Sequence, residues 1–581
     1  MVGTGRWVVT SAWPYINTVP HLGNLIGSVL SADVFARFLR MFGEDVIFVS
    51  GSDEHGTVIE VEARKKGIEP KELTDSAHEY VVKLWKAWNI SFDNYTRTEN
   101  EVHKKYVRDL MLKIYERGFI SRKDQVIPYC PNDKIYLPDR FIEGTCPYCG
   151  FEGARGDQCD NCGRLLEPHD LINPRCVFCG SKPEFRLRTH WFFRLDLLEG
   201  KILEWVLNHD MLDANVKNFT ISWIKTTGLA PRSVTRDNRW GIPAPFPNSE
   251  DKTIYVWFDA LLGYISATIE YLAKQGRENE WVNYWFNGSA KTAYFIGKDN
   301  IPFHAVILPA MLIASGDPYN LPTIISATEY LMYEGKKFSK SRRVGVWIDE
   351  ALKIVDNPDY WRYALIRMRP EDKDTNFRWV EFVRFVNNEL NDHIGNYINR
   401  TLNLIYRFFN AQVPNISTLD DEDREMLDLI DRSWSDYVNL MSRARIKAAS
   451  EAIVKLGERG NQYLNRKSPW FKIKEDVESV KTTLYVSFLN SVTIALMLTP
   501  ITPYSAAKLL DMMGIEEVKL SFGDKPSKFI KENHRIKKPT PIFSKIPQEL
   551  AEVLIDEEKR EKYLERIREQ VNLERPEVLR Y

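Results

Sequence analysis

All seven cysteines of this 581-residue chain fall between Cys130 and Cys179. An odd number in so short a window suits disulfide pairing badly and metal ligation well. Cys146-Pro-Tyr-Cys149 and Cys159-Asp-Asn-Cys162 are two C-x-x-C knuckles separated by nine residues, the spacing of a tetrahedral zinc site with four thiolates. A third knuckle, Cys176-Val-Phe-Cys179, finds its counterpart only in Cys130-Pro-Asn-Asp133. A second zinc would take Cys130, Asp133, Cys176 and Cys179, because a carboxylate also ligates zinc, with His169 as the rival fourth ligand. Four protein ligands leave no open coordination position, so the metal would organise the fold rather than perform chemistry.

The cysteine window interrupts an alternating pattern. Residues Arg6 to Ala12 read as a buried strand, followed by a loop carrying Trp13, Pro14, Tyr15 and Pro20. Leu22, Leu25, Val29, Ala32, Ala36 and Leu39 then recur every three or four positions, one apolar face of a helix that Gly43 closes. Asp45 to Ser50, DVIFVS, is a second buried strand and completes a β-α-β unit. From about residue 120 to 190 the periodicity gives way to Cys, Gly, Pro and Asp, which marks an insertion. Strand and helix signals resume in KTAYFIGKDN and in IPFHAVILPAMLIAS, whose helix starts near Pro302. From about Trp379 the pattern is helical almost throughout, a bundle that ends in the basic connector KPSKFIKENHRIKKPTPIF and one charged helix, AEVLIDEEKREKYLERIREQV. The fold class is therefore α/β, split by an insertion and followed by an α-helical domain. In open α/β sheets ligands bind beyond the carboxyl ends of the strands.

Composition adds limits. A hydrophobic content of 44% allows a large core, divided among about three or four domains. The net charge of −1 means that nucleic acid would be held by local basic patches and not by an overall field. The first residues are too weakly apolar, and too broken by Pro14 and Pro20, for a signal peptide, and no run of about eighteen apolar residues follows, which predicts a soluble cytoplasmic protein without a membrane partner.

Two segments carry phosphate chemistry. His21-Leu22-Gly23-Asn24 lies where the first loop meets the helix, whose amino end offers free N–H groups and positive dipole, while Gly23 permits close approach. Lys337-Phe338-Ser339-Lys340-Ser341, flanked by Gly335, Lys336, Arg342 and Arg343, sets several cations and two hydroxyls in one loop, suited to charge moving onto pyrophosphate during attack at an α-phosphorus. Alone, the first segment reads equally as a plain helix start, and the second more often as a solvated basic turn.

Together, about 315 residues apart and flanking a divided α/β domain, they resemble the HIGH and KMSKS signatures of class I aminoacyl-tRNA synthetases. SAWPYINTVPHLGN, GSDEHGT, TRDNRWGIPAP, VWFDALLGYI, FIGKDNIPFH, KKFSKS and NQYLNRKSPW resemble the methionyl branch of that family over at least residues 1 to 540. The resemblance implies a Rossmann-type catalytic domain in two halves (1–118 and 226–325) around a zinc-knuckle insertion (119–225). A KFSKS-loop and stem-contact region (326–380), a helical anticodon-binding domain (381–540) and a carboxyl-terminal extension helix (541–581) would follow. Asn24 departs from the final histidine of HIGH, Leu261 stands where most relatives carry proline, and Asp133 where two-zinc relatives carry cysteine.

The implied reaction is ATP-dependent ligation of L-methionine to tRNA(Met) through methionyl-adenylate. His21, Asn24, Lys337 and Lys340 match the catalytic positions, and Gly23, Arg236, Lys298, Asp299 and Ser339 join them as ATP contacts, with Mg²⁺ accompanying the nucleotide. Tyr15, Trp257, Ala260, Leu261, Tyr264 and His304 match the methionine side-chain pocket, while the backbone carbonyl of Trp13 and the Asp53 carboxylate match the groups that hold the ammonium. Asn396, Arg400 and Trp470 match the anticodon readers, although Trp470 on its own reads as a buried bundle residue and Lys528 to Lys538 as a solvated linker. The insertion leaves no room for a separate hydrolytic editing domain, so rejection of homocysteine is expected in the synthetic site itself. Many relatives carry a further carboxyl-terminal tRNA-binding and dimerising domain that this chain lacks, so a monomer is expected, with a separate tRNA-binding subunit as its candidate companion. The competing readings are another class I synthetase, cysteinyl or of the leucyl, isoleucyl and valyl group, and a non-enzymatic zinc-ribbon protein that binds nucleic acid.

Overall fold

Five parallel strands form the central sheet: β1 (Arg6–Ser11), β2 (Asp45–Ser52), β3 (Asn94–Arg97), β4 (Ala290–Gly297) and β5 (Ile324–Thr328), in the order β5-β4-β1-β2-β3. In this computed structural model every residue is described except 1–4, 160, 163, 165, 340, 341 and 581. The two halves of the α/β pattern thus build one sheet, and its order reverses between β1 and β4. A crevice opens at such a reversal. Trp13, Asp53, Lys298 and Tyr330 all follow directly on the carboxyl ends of these strands.

The helix expected after β1 is present but not uniform: Leu22–Asn24 and Leu30–Met41 are α-helical, and Leu25–Val29 between them is a π-turn. Asp33 inside it is fully buried and bonds Arg362 at 2.6 Å, and Arg362 also donates to the carbonyls of Pro500 and Ile501 in the helical domain. Two helices are long and apolar enough to cross a membrane, Leu22–Met41 and Val477–Leu498, and both are mostly buried within the protein.

The insertion rises on a long antiparallel pair, Ile120–Cys130 against Glu184–Phe193, edged by the short strands Ile135–Tyr136 and Arg232–Ser233, and carries a small sheet of Ile142–Thr145, Ala154–Arg155 and Ile172–Cys176. The helical domain packs Asn396–Phe408, Asp421–Ser442, Ile446–Lys467 and Val477–Leu498 against one another. The basic connector is not a solvated linker. His534 and Ile536 are buried, Val413 and Lys537 donate backbone bonds to the carbonyls of His534 and Met512, and Lys528 and Lys537 are paired with Asp524 and Asp511. The single charged helix expected at the carboxyl end is two, Gln548–Ile555 and Glu557–Glu574, because Asp556 is extended and its carboxylate caps the second helix by accepting the N–H of Lys559.

That second helix returns to the catalytic domain. Arg568 donates to the carbonyl of Gly345, and Arg575 makes two bonds to Asp349, at 2.7 and 2.8 Å.

Candidate active site and metal centres

The loop after β1 lies beside the end of β2. Asp53 donates its backbone N–H to the Pro14 carbonyl and accepts that of Ile16, and the Tyr15 hydroxyl donates to the His55 carbonyl at 2.7 Å. Asp53 is buried, and its Oδ1 has no hydrogen-bond partner. Burial first, and then the neighbouring Asp259, push its carboxyl well above the usual range, while His55 pulls it down. A buried, half-satisfied carboxylate is the kind of group that a cationic ligand completes.

Aromatic walls flank it. Trp13 meets the edge of Tyr264, whose hydroxyl bonds His304 Nε2 at 2.7 Å. His304 Nδ1 lies 3.0 Å from the Asn300 carbonyl, so Nδ1 carries the proton and Nε2 accepts from Tyr264. Burial lowers His304 to about 4, so this wall is uncharged at neutral pH. Ala260 and Leu261 are buried on the adjacent turn, and Trp257 stacks on Phe303 at 3.8 Å. Trp257 and Phe303 also line a cleft of about 1130 Å³, together with Arg236, Lys298, Asp299 and Glu329.

The two signature segments meet. Leu22 donates to the Val346 carbonyl and Ile348 to the Pro20 carbonyl, both at 3.0 Å, and the Phe338 ring stacks on His21 at 4.4 Å. His21 caps the helix: its Nδ1 accepts the Asn24 N–H, while Asn24 Oδ1 accepts the His21 N–H. The amide oxygen of Asn24 is thereby used, and its NH₂ remains the donor end. Gly23 lies against both rings, since a Cβ there would come within 3.0 Å of His21 and 3.4 Å of Phe338.

Tyr330 gathers the cations. Lys298 lies 4.1 Å and Lys337 5.2 Å from its ring, and its hydroxyl donates to Asp299. Lys298 is also paired with Glu329 and Asp374. Ser339 is joined by two backbone bonds to Val344; Lys340 and Ser341 lie outside the described residues. Arg236 does not join this group. Its guanidinium bonds Asp139 of the insertion at 2.8 Å and stacks on Tyr255, whereas Asp237 pairs with Arg188 and Lys252.

Both cysteine sets converge. Cys146, Cys149, Cys159 and Cys162 place their sulfurs within 4.8 Å of one another, as do the ligand atoms of Cys130, Asp133, Cys176 and Cys179. Thiolates about 2.3 Å from a central ion would lie about 3.8 Å apart at tetrahedral corners. The Cys146–Cys162 and Cys149–Cys159 distances are 3.9 and 3.6 Å, and all seven thiols are free of disulfides. These sets fit a metal. Asp133 Oδ2 lies 3.3 Å from Cys130 and 3.2 Å from Cys176, whereas His169 is exposed beside Asp170, so it is the aspartate that the fold brings together with Cys130, Cys176 and Cys179.

In the helical domain the Arg400 guanidinium sits 5.2 Å from the centre of the Trp470 ring and bonds Asn465, and Asn396 holds Asp392 on the preceding turn. Trp470 is only half-buried, and its neighbour Phe471 is 74% exposed. Sequence reasoning passed over Phe471, and likewise Phe338, Tyr330 and Phe303. Each is an ordinary apolar residue until its stacking partner is known.

Residues 7–402 match the family described as tRNA synthetases class I (M), and residues 413–567 match the anticodon binding domain of methionyl tRNA ligase. The chain is 55% identical to a methionine–tRNA ligase of Sulfurisphaera tokodaii, over 98% of this chain and 99% of that one. It is 56% identical to that of Ignicoccus hospitalis, over 94% and 96%. Among solved structures, methionyl-tRNA synthetase of Mycobacterium tuberculosis in complex with methionyl-adenylate superposes with a TM-score of 0.75 at 26% identity, covering 93% of this chain and 100% of that one. Two matched regions in the same order, near-full-length likeness and the shared fold agree: the chain belongs to the methionyl class I tRNA synthetases.

Proposed function

We infer that this chain ligates L-methionine to tRNA(Met), using ATP to form methionyl-adenylate and releasing AMP and diphosphate. The observation that carries this reading is the unpartnered carboxylate oxygen of Asp53, buried beside an uncharged aromatic pocket. The ammonium of the amino acid bonds that oxygen and the Trp13 carbonyl, which leaves the carboxylate free to react. The thioether rests against Tyr15, Trp257, Ala260, Leu261, Tyr264 and His304, where contact of sulfur with an aromatic ring contributes about 0.3 to 1.5 kcal/mol.

The methionine carboxylate attacks the α-phosphorus in line, and no covalent enzyme intermediate forms. His21 acts through its tautomer: with Nδ1 accepting from Asn24, the neutral ring carries its proton on Nε2 and donates it to a phosphoryl oxygen. Gly23 and the Asn24 NH₂ line the same helix start, and Lys337, Ser339 and Lys340 neutralise the departing pyrophosphate. Lys298 and Asp299 serve the nucleotide from the end of β4; Arg236, held by Asp139, is the weakest of the assigned ATP contacts. Magnesium would arrive with ATP. The terminal adenosine hydroxyl of the tRNA then attacks the anhydride, while Asn396, Arg400 and Trp470 hold anticodon bases, Trp470 and Arg400 supplying a stacking surface worth about 1 to 3 kcal/mol per base.

Zinc bound by the two ligand sets would brace the insertion. The enzyme works as a cytoplasmic monomer, with any separate tRNA-binding subunit joining it from outside.

Amino-acid-dependent ATP–pyrophosphate exchange tests the reading with methionine, cysteine, leucine and valine in turn. Exchange with methionine alone is the expected outcome; exchange led by another of the four would replace it.

A further inference from the structure

Behind the ammonium position lies a row of ionisable groups that the adenylation chemistry leaves unused. His55 Nδ1 bonds Asp259 Oδ2 at 2.6 Å and its Nε2 bonds Glu99 Oε2 at 2.8 Å. His103 Nε2 bonds the other oxygen of Asp259, also at 2.6 Å, and its Nδ1 lies 2.8 Å from Ser266 Oγ. The side chains of His55, Asp259 and His103 are at most 1% exposed. Taking such groups out of water costs several kcal/mol per ion, and well-packed apolar residues would fill the space without that cost.

We propose that His55, Asp259 and His103 are positioning residues for recognition of the amino-acid ammonium, a buried row that fixes Trp13, Asp53 and Tyr15 and balances the charge behind Asp53. The proposal rests on the reading of Asp53 as the ammonium partner.

The row reaches Trp13 directly, and Tyr15 and Asp53 through the backbone around His55. His55 stands two residues after Asp53, and its carbonyl anchors the Tyr15 hydroxyl. His103 lies 5.9 Å from the Trp13 ring. On its other sides Trp13 is slotted between two glycines, where a Cβ would come within 2.6 Å of the ring at Gly51 and 2.5 Å at Gly263. Asp259 belongs to the short helix Val256–Ala260 that also presents Trp257 and Ala260.

Charge follows the same line. Both nitrogens of His55 face carboxylates, so both carry protons and the ring is a cation. Burial opposes that state, and Asp259 and Glu99 outweigh it, holding His55 well above the usual histidine range. Glu99 in turn bonds Lys104. Lys104, Glu99, His55 and Asp259 therefore alternate in sign. Asp53 is left as the group whose charge the substrate ammonium completes.

The test uses the full chain with Asp259→Asn, which keeps shape and removes charge. Its KM for methionine should rise at least tenfold, while KM for ATP and kcat at saturating methionine stay within about twofold. The desamino analogue 4-(methylsulfanyl)butanoate, which has no ammonium, should inhibit variant and parent equally. An unchanged methionine KM, or equal weakening of both ligands and of ATP, overturns the proposal. Should Asp259→Asn not fold, His103→Asn, which takes one bond from Asp259, must show the same selective rise in methionine KM at smaller size, and its absence counts against the row. Asp53→Asn separates the two layers. If it leaves methionine affinity intact, the ammonium reading falls and this inference with it; if it weakens methionine while the row variants do not, only the row falls.

Discussion

At the scale of single residues, His21 shows how a cap can fix a ring's hydrogen-bonding state. Burial lowers it from its ordinary 6.5 to about 4. Between those values the unfolded chain binds more protons than the folded one, so stability should rise with pH across about pH 4 to 6.5 and level off above it. His21→Gln removes that contribution, and denaturant unfolding at several pH values should show a flatter acid limb. The sequence places His21 at a helix start beside Gly23, whereas Asp53 stands out only through the family resemblance and not through its own neighbours. Phe338 was not legible: nothing in KKFSKS says that its aromatic side chain covers a histidine some 315 positions earlier.

Among elements, the turns that break regularity stand at the site. π-Turns occupy Leu25–Val29 after the HLGN segment, Phe303–Ile307 around His304, and Phe385–Gly395 just before Asn396. Such insertions widen a helix by one residue per turn and gather at functional positions. The apolar spacing of three and four survives them, so the sequence predicted the helices and missed the irregularities. Gly345 is the corresponding point in the signature loop. Its φ is +132°, and a Cβ there would lie 2.3 Å from Phe338. Gly345→Ala should displace Phe338 from His21 and lower kcat for pyrophosphate exchange about tenfold, with the methionine KM little changed. Equal kcat values for the two proteins would show that the stack plays no part in the chemistry.

For the molecule as a whole, the buried pair of Arg362 and Asp33 joins the catalytic sheet to the helical domain. Arg362→Ala leaves Asp33 buried with Arg37 as its charge partner and Ser91 as its neutral one, and breaking such a buried pair costs about 3 to 5 kcal/mol. Calorimetry should record a correspondingly lower melting temperature. The insertion and the convergence of its cysteine sets could be read from cysteine spacing, since spacing is a local property. The return of the last helix to Gly345 and Asp349 could not, because a polar helix rich in arginine names no partner. Metal analysis of the purified protein should find two zinc ions per chain, and Asp133→Ala should reduce that to one.

The insertion has little to hold it shut. Among the described residues, its apolar centre consists of Val61 from the catalytic domain and ten residues of its own, four of them cysteines. Cys130 and Cys179 close a long loop, and the entropy of that closure grows only slowly with length, so an ion bound between them would add to what so small a core supplies. With zinc as that ion, the fraction of folded insertions would follow its concentration by mass action. Scarcity of the ion would reach protein synthesis here as a fall in the number of competent enzyme molecules, each survivor still working at full speed.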